Sequence, residues 1–211
     1  QAQGVVDLGS AAQIFTTGEN SQVLIEASSV DVIGAIYAGG SLGGDESTIE
    51  WQQTGATINI AASELVAIGG LGVDNDTGQQ ITRGGVIQAT GSVGITANGG
   101  DSDTAIAINA LSSIKTDATG SGALSGGAAS SITITSDRSV QVYGYLQSFD
   151  SGSDITLSST GSLLLIDGYI HAADHLQALG GSDDSGNGVN ITALLYQTDE
   201  AGNYIDENGD L

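Results

Sequence analysis

The chain has 211 residues, with 33 Gly and no Cys, Met or Pro, and its 25 acidic against 3 basic side chains give a formal charge of -22. That balance excludes the phosphate neutralisation on which nucleic-acid binding depends, and it excludes docking on an anionic membrane for the same reason; the lack of Cys removes disulfides, thiolate metal sites and cysteine nucleophiles. No apolar run is long enough for a transmembrane helix, yet 39% of the residues are hydrophobic, many of them Val and Ile, so the chain can bury a core and is expected to be all-β.

Residues 1–21 begin Gln1-Ala2-Gln3, with neither Met nor the charged and apolar regions of a signal peptide. They are expected to be a lead-in or capping segment of a processed or longer protein. From residue 22 an apolar-x-apolar pair recurs as Val23/Ile25, Ile58/Ile60, Val93/Ile95, Ile132/Ile134, Ile155/Leu157 and Val189/Ile191, at spacings of 35, 35, 39, 23 and 34 residues. Alternation of this kind points both side chains to one face of a strand. The shortest spacing sets a minimal coil, and longer coils loop residues out. A second element, apolar-x-apolar-x-Gly-x-Ile/Leu, follows four of the starts: Val30/Val32/Gly34/Ile36, Leu65/Ala67/Gly69/Leu71, Val140/Val142/Gly144/Leu146 and Leu164/Ile166/Gly168/Ile170. Its fixed glycine marks a place where a side chain would not fit. In the third copy Ile106/Ile108/Ala110 takes this role.

Between the strands lie segments rich in Gly, Asp and Ser: Gly39 to Ser47, Gly69 to Gly78, Asn98 to Thr104, Asp117 to Ser130, Asp150 to Asp154 and Gly180 to Gly188. These are expected to protrude as loops. Past Tyr196 the pattern changes to Asp199-Glu-Ala-Gly-Asn-Tyr-Ile and Asp206-Glu-Asn-Gly-Asp-Leu, so residues 196–211 read as an acidic tail or a linker to a further module.

A unit of two or three half-buried strands cannot bury its apolar face alone, so its copies must stack. Residues 22–195 are therefore predicted to form a parallel β-helix, or β-solenoid, of about five to six irregular coils with protruding Gly/Asp loops. A β-sandwich is the competing architecture, and it would show antiparallel hairpins between neighbouring core strands.

The runs Gly85 to Gly100 (GVIQATGSVGITANGG) and Ser130 to His175 carry Gly-x-Ile/Leu-x-Ala and Gly-Ser-Val/Leu signatures. In these the chain resembles filamentous-haemagglutinin-type repeats of large bacterial adhesins, over roughly residues 22 to 195. The resemblance implies a right-handed parallel β-helix belonging to a bacterial surface or secreted protein, hence an extracellular location. The coils here are less even than in that family, and aspartate loops are more frequent.

Candidate chemistry is sparse. Arg83, Lys115 and Arg138 are the only cations, and Asp137-Arg138 with Asp167 is the one grouping that an acid–base enzyme on this fold could draw on. An exterior ion pair explains Arg138 more simply. His171 and His175 stand four apart, but in a strand that spacing separates the rings by roughly 13 Å, so shared zinc ligation would need a turn. Thr96, Thr135, Ser158 and Thr192 form an outward column, with a second of Leu24, Asn59, Gly94, Thr133, Thr156 and Asn190 beside it; the second is too varied for a flat ice-binding lattice. Tyr145 and Tyr169, each directly after a register glycine, are expected to stack across adjacent coils.

The function expected is non-enzymatic: an extracellular structural or adhesive segment, fibre-forming or not, whose partners are other copies of itself or cell-surface glycans. The alternatives are a carbohydrate-active β-helix enzyme and a carbohydrate-binding module. Calcium is the candidate cation, with Asp74/Asp76, Asp101/Asp103 and Asp183/Asp184 as its ligands, because paired loop carboxylates supply hard oxygen donors. Gly69 to Asp74 even matches the opening of a calcium-binding nonapeptide, although Asp76 stands where that motif needs an apolar residue. Against calcium stands plain solvation of acidic loops, which needs no ion.

Overall fold

The computed structural model describes residues 4–17, 20–42, 49–51, 55–73, 78–100, 103–117, 129–160, 164–181, 189–191, 197–198 and 204–205. Within them the protein is all-β and its large sheets are parallel. No helix of the described residues is long and apolar enough to cross a membrane.

The strands follow the sequence repeat. The first pass along the chain gives β1 (Val5–Leu8) and β2 (Gln13–Thr16), and the second gives β3 (Gln22–Val32) and β4 (Ala35–Ala38). A hairpin of β5 (Gly40–Leu42) and β6 (Ile49–Trp51) precedes β7 (Thr57–Ile68), and a second hairpin, β8 (Gly70–Val73) and β9 (Gln80–Arg83), separates β7 from β10 (Val86–Ala89). Next come β11 (Val93–Ala97), β12 (Thr104–Ile108) and β13 (Ser113–Thr116), then β14 (Ser131–Ser136), β15 (Ser139–Val142) and β16 (Tyr145–Ser148). The last repeats supply β17 (Asp154–Ser159), β18 (Leu164–Ile166), β19 (Tyr169–Ala172), β20 (Leu176–Gly180) and β21 (Val189–Ile191), and the tail holds β22 (Gln197–Thr198) and β23 (Tyr204–Ile205).

Strands pair with their counterparts in the neighbouring repeats, which produces three parallel ladders. The first aligns Val23, Ile58, Val93, Ile132, Ile155 and Leu176. The second aligns Val6, Val30, Val66, Ile106, Val140, Leu164 and Val189. The third aligns Ile14, Ile36, Ile87, Ile114, Leu146 and Ile170. β3 and β7 are long enough to serve the first two ladders in turn, so these two ladders form one sheet. Antiparallel pairing among the described residues is confined to the hairpins β5–β6, β8–β9 and β22–β23. The core strands thus lack the antiparallel connections of a sandwich.

Alternation decides what is buried. Ile58, Ile95, Ile132, Ile134, Ile106, Ile87 and Ile114 are fully buried in one continuous cluster, while their chain neighbours, Ala105 excepted, are half-buried or exposed. Each such side chain contributes about 1.5–3 kcal/mol relative to exposure. β-Branched residues suit this position because their restricted rotamers fit the pleated surface.

In the first two ladders the register departs from the expected alignment in two places. Val189/Ile191 is not the sixth copy of the first ladder: it lies in the second, against Leu164/Ile166, and Leu176/Ala178 continues the first. In β7 the second-ladder pair is Val66/Ile68 and not Leu65/Ala67, because Ala27↔Ala62 is followed by Ser29↔Leu65, one extra residue on β7. A one-residue shift turns every later side chain to the other face.

The fixed glycines Gly34, Gly144 and Gly168 sit immediately before third-ladder strands; in the second copy that place belongs to Gly85 and not Gly69, with Ile87 in the ladder in place of Leu71, which is exposed on the β8–β9 hairpin. A Cβ on Gly144 would stand 2.6 Å from the carbonyl oxygen of Ser112 in the repeat below, and one on Gly168 would collide with the Gly144 carbonyl. At these glycines the turns of neighbouring repeats approach too closely for a side chain. The third repeat places Ser112 at this position, not Ala110. Its hydroxyl donates to Ile68 O at 2.8 Å and accepts from Gly85 N at 3.3 Å, so it occupies the space with two hydrogen bonds.

Candidate functional site

The exterior of the third ladder is the most aromatic surface. Phe15 and Tyr37 pair in register, with ring centroids 6.2 Å apart, and Trp51 of the β5–β6 hairpin closes on Tyr37 at 5.9 Å. Burial under these rings raises the Tyr37 phenol above its ordinary pKa. Continuing from Tyr37, the same register column runs through Gln88, Lys115 and Gln147 to His171, which is buried. Beside it Tyr145 and Tyr169 pair in register with centroids 6.0 Å apart, as the sequence predicts, and Tyr145 remains 47% exposed.

The two histidines have opposite environments. His171 is buried with its ring edge-on to Phe149 at 5.4 Å, and desolvation pulls its pKa below the ordinary histidine value. His175 is exposed, with 76% of its side chain accessible. It falls beside Asp154, because Ile155↔Leu176 register sets the residues before them side by side. Its Nδ1 lies 3.3 Å from Asp154 Oδ1 and 3.1 Å from Asp174 Oδ1. Among the described residues these three form the one group of imidazole and carboxylate donors with ligand atoms within 4.8 Å of one another.

Of the expected calcium ligands only Asp103 is among the described residues. Asp74, Asp76, Asp101, Asp183 and Asp184 lie outside the described residues. Asp103 is exposed, and its backbone carbonyl accepts Ser139 N–H at 3.1 Å. The turn from Asp150 to Asp154 does not protrude throughout as expected. Asp150 and Ser153 are fully buried: Ser130 Oγ donates to Asp150 Oδ2 at 3.2 Å, and Ser130 N–H donates to Ser153 Oγ at 2.8 Å. Such a satisfied polar network fixes the turn and leaves Asp150 no role as an open ligand.

Arg138 donates from Nη2 to Gly100 O at 3.3 Å and lays its aliphatic stem on Gly99, which holds the guanidinium to a neighbouring turn. At the other end, Asp7 and Asp31 pair in register on the second ladder's exterior. Desolvation first, and then the Asp7 charge, raise the Asp31 pKa above its ordinary value.

The outward columns of the first ladder end differently from the expectation: Leu179 follows Ser158, and Gln177 follows Thr156, in place of Thr192 and Asn190. The signal for the Asp154–His175 pairing is present in the sequence, in the apolar-x-apolar pair Leu176/Ala178. Taking Val189 as the sixth copy hides it. No protein-family model, no curated protein and no solved structure matches the chain.

Proposed function

We propose that this chain is a non-enzymatic extracellular segment of a large bacterial surface or secreted protein, with a structural or adhesive role, built as a parallel β-solenoid. The observation that carries the reading is the pairing order. All three ladders advance repeat by repeat in chain order, and neither the first nor the third returns to pair its last strand with its first, as a closed barrel would. Stacking of this kind yields a rigid body whose exterior carries continuous columns of side chains. An acidic exterior keeps such a body soluble.

A second reading, glycan binding, is favoured by the third ladder's exterior. Phe15, Tyr37 and Trp51 at one end and Tyr145 with Tyr169 at the other flank the amides of Gln88 and Gln147, and aromatic faces beside amides are what sugar rings recognise. Adhesion and glycan binding are compatible in one protein. The test is a glycan array run alongside a polysaccharide-turnover assay. Retention of glycans without new reducing ends, weakened by Tyr145→Ala, supports the adhesive reading with glycan as target. Turnover overturns the non-enzymatic assignment, and a chain that neither retains glycans nor self-associates in sedimentation loses the adhesive one.

A further inference from the structure

We propose that Asp154, Asp174 and His175 form a binding site for a divalent transition-metal ion of the zinc class. The donor set selects the ion: one imidazole nitrogen with two carboxylate oxygens suits zinc and its neighbours, whereas calcium and magnesium take oxygen alone. Geometry agrees. Around an ion with bonds of about 2.1 Å, adjacent ligands stand about 3.0 Å apart at right angles and about 3.4 Å apart at the tetrahedral angle. His175 Nδ1 stands 3.3 Å from Asp154 Oδ1 and 3.1 Å from Asp174 Oδ1, within that range.

The backbone holds the three donors together before any ion arrives. Asp174 N–H donates to Ser153 O at 3.0 Å and Ile155 N–H to His175 O at 2.9 Å, which are bonds between one repeat and the next. His175 N–H donates to Asp154 Oδ1 at 3.1 Å, holding that oxygen beside Nδ1. The turn carrying Ser153 is itself anchored by the buried Ser130–Asp150 contacts. All three side chains are about half exposed or more, at 51% for Asp154, 46% for Asp174 and 76% for His175, so water completes the shell and entry is open. The ion would clamp consecutive repeats where the first ladder passes from β17 to β20. The molecule's charge of -22 concentrates cations around it.

The chain has only two histidines, which makes the test specific. Zinc chloride is titrated into the full chain while the imidazole nitrogens are followed by long-range proton–nitrogen correlation. The expected result is a shift of the His175 Nδ1 resonance that saturates at one equivalent, with His171 unmoved, and a tenfold or greater loss of zinc affinity in His175→Ala and Asp174→Asn. Calcium in excess should leave the His175 resonance in place. An unmoved His175 ring at millimolar zinc, or equal zinc affinity in His175→Ala with an unchanged circular dichroism spectrum, overturns the site. Zinc bound only by acidic loops gives that second pattern. Calcium displacing zinc at equal concentration would overturn the choice of ion.

Discussion

At Gly144 the stack tolerates no side chain, and the obstacle is a backbone carbonyl that cannot rotate away. Gly144→Ala is therefore expected to destabilise the fold by about 2–3 kcal/mol, the range of an overpacked core, as read by urea denaturation. Ser112 at the equivalent place succeeds because the turn before it differs, with Leu111 at a φ of 70°. Charge gives a second residue-scale expectation. Asp31 has a raised pKa, so the folded chain binds its proton more tightly than the unfolded chain does. Stability from this group is greatest below the unfolded value of 3.8 and falls as pH rises through the folded value. Asp31→Asn should raise the melting temperature at pH 7, with the gain fading below pH of about 4. A gain that persists at pH 3 would mean the benefit is not electrostatic. His171 works in the opposite direction: with its pKa lowered by burial, its contribution is present above the unfolded value of 6.5 and is lost as pH falls through the folded value.

Elements were legible where alternation was strict. Five of the six first-ladder pairs follow directly from the Val/Ile pattern, because isoleucine at every second position has one reading. The sixth pair is Leu176/Ala178, where a small residue weakens the pattern, and the more strongly apolar Val189/Ile191 took its place. Leu65 and Val66 are both apolar, so the extra residue in β7 that swaps their faces left no mark in the composition. The candidate metal group spans two repeats and is brought together by the Ile155↔Leu176 register, which the weak Leu176/Ala178 pattern does not reveal. Hairpin β8–β9 is an excursion, since β10 pairs with β4 and β13 independently of it. In the fifth repeat, Asp167-Gly168 makes the same second-to-third-ladder link in two residues. Replacing residues 69–85 by Asp-Gly is expected to keep the β spectrum and move the melting temperature by no more than about 5 °C, since loop length costs little. Loss of cooperative melting would show that the hairpin is part of the core.

For the whole molecule, the charge of -22 means that the folded body repels itself at low ionic strength. Raising sodium chloride from 10 mM to 1 M should raise the melting temperature by roughly 5 °C, as screening removes that repulsion; a fall would show that attractive charge pairs outweigh the repulsion. The ladders carry a mechanical consequence as well. Their hydrogen bonds join each repeat to the next, so tension applied between the chain ends loads the outermost repeat first and peels it before its neighbour is disturbed. The spans Val93 to Ile132, Ile132 to Ile155 and Ile155 to Leu176 are 39, 23 and 21 residues. At 3.3–3.6 Å per extended residue, their release lengthens the tether by roughly 135, 80 and 75 Å. A single-molecule force trace would then be a sawtooth of unequal steps, a ruler on which the insertions of the sequence are read as length.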